Sequence, residues 1–208
     1  MRYKVAIRFA IEGDLRFISH HDTMRLFERA LARARLPVTF SGGFNPRPKL
    51  SLPLPRAVGV ASRAELLVVR LSEPIEPGCV LDRLAEQMPA GVSLSACWPI
   101  GPETTVQPIQ VTYAVDLPTG RVPAVTQAVA SILAAETWII HRRARSRKPG
   151  KTLDLRAYLV EASVEAGTLC WSVRVTNSGS VRPDEMLEAV GLTGSAWRHR
   201  VRRTGVDW

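Results

Sequence analysis

The chain of 208 residues sets 28 Lys plus Arg against 19 Asp plus Glu, a formal charge of +9, and 46% of it is hydrophobic. That length suits one domain or two small ones, and the apolar share excludes a chain disordered throughout. No apolar run approaches the roughly 20 residues of a spanning helix, and the opening MRYKVAIRFAIEGDLRF carries charges where a signal peptide would be apolar, so a soluble, cytoplasmic protein with no membrane role is expected.

Tyr3, Val5, Ile7, Phe9 and Ile11 alternate and predict a first strand. Ser19-His20-His21-Asp22 reads as a capping box, with Ser19 at the N-cap and the Asp22 carboxylate reaching back. Met24, Phe27, Leu31 and Ala34 then share one helical face, with Arg25, Glu28, Arg29 and Arg33 on another. Leu36-Pro37 ends that helix and Val38–Phe40 opens a short strand. The loop SGGFNPRPKLSLPLP, residues 41–55, holds too many prolines and glycines for regular pairing over most of its length. A long strand over 57–72, a helix over Val80–Met88 and a strand over Val92–Pro99 complete a β-α-β-β-α-β order, the ferredoxin-like arrangement.

A second pass of the same order follows the linker GPETT, residues 101–105. It predicts a strand over Val106–Asp116, a helix over Val122–Ala135 and a strand over Thr137–Arg142. Paired strands at Leu153–Val164 and Thr168–Thr176, a helix from Pro183 to Val190 and a closing strand at Trp197–Thr204 complete it. The expected fold class is therefore α+β, tandem ferredoxin-like halves with antiparallel sheets, over residues 1–102 and 103–208. The strand beyond the motif makes the second match imperfect. Charge is shared, +5 over the first half and +4 over the second, so neither half is a detached basic tail.

The cations are 24 Arg and 4 Lys. Codon bias explains such a skew without function; the alternative is a use for guanidinium forks, which hold phosphate bidentately and stack on bases. Four segments can carry that chemistry. His20 and Asp22 sit at a helix start, where exposed N–H groups favour an anion and a neutral His can act as general base; the plain alternative is a helix cap. The 41–56 loop offers Phe44 for stacking, with Asn45, Arg47, Lys49 and Arg56 as polar and cationic contacts; otherwise it is a Pro-rich connection. The run HRRARSRKPGK supplies Arg142, Arg143, Arg145, Arg147, Lys148 and Lys151 with no acid, suited to salt-sensitive phosphate contacts or to plain solvation. In Trp197–Arg203, strand alternation would set Arg198, Arg200 and Arg202 on one face as an arginine ladder.

Enzyme signatures such as GxGxxG after a strand, a P-loop, HExxH or GxSxG do not occur. Asp154, beside Arg156, is a candidate catalytic acid whose commoner role is a structural ion pair. Cys79, Cys97 and Cys170 stand far apart with no CxxC and no His pair to complete a zinc site. They read as ordinary buried thiols, and neither a metal site nor a cofactor is expected in this chain.

The stretch RFISHHDTMRLFERALARARLPVTFSGGFNPRPKLSLPLPRAVGV resembles the opening block of the bacterial radical-SAM-linked proteins, a family of unknown function. The match lies in Phe17, Ser19, His20, Asp22, Arg29-Ala30, Ser41, Gly43-Phe44-Asn45-Pro46, Pro48-Lys49 and Gly59-Val60. A second block, Asp154-Leu155-Arg156 and Gly179-Ser180-Val181-Arg182-Pro183-Asp184-Glu185, is similar too. His21 departs from it, since the family more often has an apolar residue there. The resemblance implies a partner, a radical S-adenosylmethionine enzyme encoded beside or fused to family members, which would itself carry the cluster that this chain lacks cysteines to hold.

The expected function is an accessory RNA-binding protein, tRNA included among its candidate ligands, working with that enzyme in RNA modification. Two alternatives stay open: a stand-alone RNA-processing or RNA-modifying enzyme using His20 or Asp154, and an adaptor that never touches nucleic acid. The RNA reading expects residues 44–56, the 142–151 run and His20 to converge on one cationic concavity.

Overall fold

The computed structural model describes residues 3–142 and 151–208, Lys151 by its backbone alone. The chain divides into two compact units, Met1–Pro108 and Ile109–Trp208. It is a mixed α/β protein of mostly antiparallel strands, with five α-helices among the described residues. No described helix is long and apolar enough to cross a membrane.

The first unit runs β1 (Tyr3–Ile11), α1 (His20–Arg33), β2 (Leu50–Ser51), β3 (Ala61–Leu71), α2 (Pro77–Ala85) and β4 (Val92–Pro99). Its strands lie in the order β4-β1-β3-β2, each antiparallel to its neighbour. The alternation of β1 puts Val5, Ile7, Phe9 and Ile11 on one buried face. Opposite them on β3, Val69 faces Val5, Leu67 faces Ile7 and Glu65 faces Phe9. Phe27, Ala30 and Leu31 of α1 and Val80 and Leu84 of α2 close over this face, and Phe27 meets Phe9 edge-on at 4.8 Å. Each large side chain buried here contributes roughly 1.5–3 kcal/mol.

Ser19 caps α1 as the sequence indicates, its Oγ accepting from Asp22 N at 3.1 Å. The return half differs, because the Ser19 hydroxyl donates to Asp22 Oδ2 at 2.7 Å and the carboxylate does not reach a main-chain amide at the cap. Met24, expected on the buried face, is only half-buried; Thr23 is buried instead, with its hydroxyl turned back to Ser19 O. Helix α2 starts earlier than Val80, because Pro77 supplies the fixed φ that opens a helix.

The edge of this sheet departs most from expectation. Val38 bridges Leu71 and Thr39 N donates to Arg70 O, then the pairing breaks. It resumes where Arg70 N donates to Lys49 O and β2 pairs Leu50 with Val69. One edge strand is thus interrupted, and residues 40–48 are extruded from it as an arm. Prolines are tolerated because an edge strand has one unpaired side.

The second unit runs β5 (Gln110–Asp116), α3 (Val122–Ala134), β6 (Ile139–Arg142), β7 (Lys151–Asp154), β8 (Leu159–Glu165), β9 (Thr168–Arg174), α4 (Pro183–Ala189), α5 (Ser195–Arg198) and β10 (Arg202–Asp207). Its sheet has the order β10-β5-β9-β8, while β6 and β7 pair separately. Val125, Val129 and Ile132 are the buried face of α3, and Trp171 of β9 stacks on Tyr113 of β5 at 5.4 Å.

Two expected strands are corrected here. Leu153–Val164 is two strands, since Asp154 Oδ1 accepts from Trp138 N and Arg156 N and a turn at Leu155–Tyr158 follows. Trp197–Thr204 is a short helix followed by β10, which removes the arginine ladder. Arg198 pairs with Asp184 at 2.5 Å and Arg200 lies over the Trp197 ring at 5.3 Å. Arg202 holds Asp116 bidentately at 2.6 and 2.8 Å, and Arg203 is 2% exposed beside Tyr113. The thiols also differ from expectation. Cys79 is exposed, one position off the buried Val80, and Cys97 and Cys170 are half-buried. Burial pushes the Cys97 thiol up to about 11.

Candidate nucleic-acid interface

The arm is built by three short-range contacts. Lys49 N donates to Thr39 O at 2.7 Å and closes its base. Ser41 N donates to Arg47 O at 2.8 Å, and Arg47 N returns a bond to Ser41 Oγ at 2.9 Å. Gly43 turns the tip at φ +103°, a conformation that side chains rarely adopt. These bonds hold the backbone and leave the side chains outside: Phe44 is fully exposed (106%), Phe40 is 54% exposed, and Asn45, Arg47 and Lys49 stand in solvent with them. Two exposed aromatics and two exposed cations thus share one arm, the residue types on which unpaired bases stack and with which phosphates pair. Phe40 was legible only as a strand residue; its exposure follows from the interruption of the edge strand, which has no sequence signature.

His20 and Arg56 meet elsewhere, in a small pocket at the start of α1 lined also by Phe9, Thr23, Leu52, Leu54 and Glu65. Phe44, Asn45, Arg47 and Lys49 do not line it. The pocket offers about 10 Å³, room for about one water. The Arg56 guanidinium donates to Arg16 O at 2.6 Å and Val60 O at 2.7 Å, with longer bonds to Ala57 O and Ile18 O. It therefore pins the loop that follows β2, whereas the sequence offers it as a phosphate contact. Burial, more than the neighbouring His21 charge, lowers the His20 pKa, and Glu65 opposes both. Glu65 is 5% exposed. Its signal lies in the sequence: period two sets Glu65 on the face of Leu67, Val69 and Leu71, a carboxylate at a core position. Asp22 points into solvent, where the Ser19 hydroxyl, and then Arg25, hold its carboxyl below the usual range.

In the second unit Arg142 is a structural cation. Its Nε lies 2.6 Å from Glu185 Oε1, its Nη2 lies 3.0 Å from Glu185 Oε2, and Nη2 also donates to Ser180 O. The same Glu185 accepts from Arg182 N and caps α4. Arg142, expected as a phosphate contact, thus has its Nε and Nη2 engaged by Glu185 and Ser180. Asp154, the other candidate acid, holds the main-chain amides of Trp138 and Arg156, which is a turn-forming role. Arg143, Arg145, Arg147 and Lys148 lie outside the described residues, as does the side chain of Lys151. Among the described residues, no three His, Cys, Asp or Glu side chains gather as metal ligands would.

Fold and surface together define a class: a mixed α/β protein with a hydrogen-bonded aromatic and cationic arm at a sheet edge. The chain belongs to the family described as "Uncharacterized protein conserved in bacteria (DUF2344)", which it matches over residues 4–183. No curated protein matches it. A crystal structure of an unknown protein from Galdieria sulphuraria is similar at 13% identity over 92% of this chain and 91% of that one, with a TM-score of 0.28, a likeness too slight to bear on fold or function.

Proposed function

We propose that the protein is an accessory RNA-binding module, with tRNA among its candidate ligands, that serves a radical S-adenosylmethionine enzyme. The observation that carries the RNA reading is the arm: Phe40 and Phe44 exposed beside Arg47 and Lys49 on a backbone closed by its own hydrogen bonds. Preorganisation of this kind lowers the entropy lost on binding, and the overall charge of +9 favours a polyanion. The enzyme partner rests on the resemblance of both sequence blocks to radical-SAM-linked proteins. We also read each unit as a ferredoxin-like half. The antiparallel orders β4-β1-β3-β2 and β10-β5-β9-β8 support that reading, with the β6–β7 pair as an insertion in the second.

The test is the affinity of the full chain for a fluorescent single-stranded RNA at fixed salt. Phe44→Ala should cost roughly 1–3 kcal/mol, the worth of one stacked base, without a change in melting temperature. Affinity equal to wild type would remove the arm from the interface. Binding of the enzyme partner with no RNA affinity at all would leave an adaptor.

A second reading, an RNA-processing enzyme, is favoured by one observation: His20, at a helix start, shares a pocket with the buried carboxylate Glu65, and burial lowers its pKa. Incubation of the protein with total RNA, without added metal or cofactor, tests it. Cleavage abolished by His20→Ala would replace the accessory role; intact RNA would exclude this one.

A further inference from the structure

A groove of about 610 Å³ runs along the outer side of α1, between that helix and the segment that follows α2. Leu15, Ile18, Leu26 and Met88 line it, all half-buried, so apolar surface remains open to solvent at its floor. Arg25, Arg29 and Arg33 also line it, and all three are exposed. They recur every fourth residue, so they form one row with a rise of about 6 Å per step. Two of the three are already tethered: Arg25 lies 3.5 Å from Asp22, and Arg33 donates to Gln87 O at 2.8 Å and to Gln87 Oε1 at 3.3 Å. Arg29, in the middle, has no hydrogen-bond or ion-pair partner among the described residues.

We propose that this groove docks an acidic amphipathic helix of a partner protein. The apolar floor takes the partner's aliphatic stripe, and carboxylates four residues apart on its flank repeat at the same 6 Å or so as the arginine row. The row also fixes the partner's direction and register, as complementary charges at an interface do. A nucleic-acid strand fits the groove less well. Its lining residues include no aromatic ring on which a base could stack, whereas Asp22 and Glu86, which line it too, repel phosphates and a partner's carboxylates alike. The inference is independent of the RNA reading, since it uses no residue of the arm.

The probe is a fluorescein-labelled synthetic helix with leucines along one stripe and glutamates four apart beside it. A counterpart carries lysines in place of the glutamates. Both are titrated with the full chain at physiological salt and followed by anisotropy. The acidic peptide should bind saturably and the lysine peptide should not. Arg29→Glu should weaken the acidic peptide about tenfold or more, since it sets like charges face to face, while Arg29→Lys keeps most of the affinity. Arg29 is exposed and unpartnered, so neither variant should change the melting temperature, which is checked alongside. Equal binding of the two peptides, or of wild type and Arg29→Glu, would overturn the proposal. So would a single-stranded RNA that displaces the acidic peptide and itself binds Arg29→Glu less well, which would make the groove a nucleic-acid surface.

Discussion

Arg56 and His20 share a pocket but differ in what they can offer a ligand. The guanidinium of Arg56 donates to four main-chain carbonyls, and removing it leaves those acceptors short of partners. Arg56→Ala should therefore lower stability by about 2–3 kcal/mol, read as a shift of the urea midpoint; an unchanged midpoint would return Arg56 to the list of free cations. His20 is set by burial against a nearby carboxylate. Its midpoint in a nuclear magnetic resonance titration should fall below 6.5, and Glu65→Gln should lower it further, because Glu65 is the contribution that raises it. The linkage sign follows. A folded-state pKa below the unfolded value means that the unfolded chain takes up the proton first, so stability falls as pH drops from 6.5 toward the folded midpoint. His20→Asn should flatten that limb of the pH–stability curve, and a curve of unchanged slope would contradict the assignment. At this scale the sequence disclosed which residues were unusual, but not their partners. Arg47 and Arg56 are chemically alike and close in the chain, yet one stands in solvent and the other is bonded to the main chain.

Elements were legible where a period had a clear apolar face. Strand β1, helix α1 and helix α3 follow from spacing alone, because Val5, Ile7 and Phe9 or Val125, Val129 and Ile132 have one buried side to choose. The failures occur where local chemistry overrides period. At Asp154 a side chain ends a strand by taking two amides. At Trp197–Arg203 an alternation of arginines looked like a strand, but Arg198, Arg202 and Arg203 each had a separate partner to meet. The arm reads as a loop because nothing in residues 38–51 announces that one edge strand resumes after an excursion. The joint between β6 and α4 has its own test. Arg142 and Glu185 have side chains 16% and 13% exposed, so breaking the pair leaves a largely desolvated charge. Arg142→Ala should cost about 3 kcal/mol in stability. Adding Glu185→Gln should recover part of that loss, the non-additivity expected of contacting residues. Additive losses in the double variant would show that the two do not act as a pair.

For the whole molecule the governing quantities are its charge, +9 and carried almost wholly by arginine, and how many of the described arginines the chain itself already holds. Arg56, Arg142, Arg198 and Arg202 are all held by carbonyls or carboxylates of the chain itself. Net charge alone therefore overstates the phosphate contacts available, and the two cations of the arm matter more than their number suggests. The most direct measurement is the salt dependence of RNA affinity, made on the wild-type chain and on Arg47→Ala/Lys49→Ala. Each lost phosphate contact to a single strand flattens the slope of log K against log salt by about 0.7. The account predicts weaker binding at every salt concentration and a slope shallower by about 1.4 in the double variant. Superimposable lines for the two proteins would contradict it.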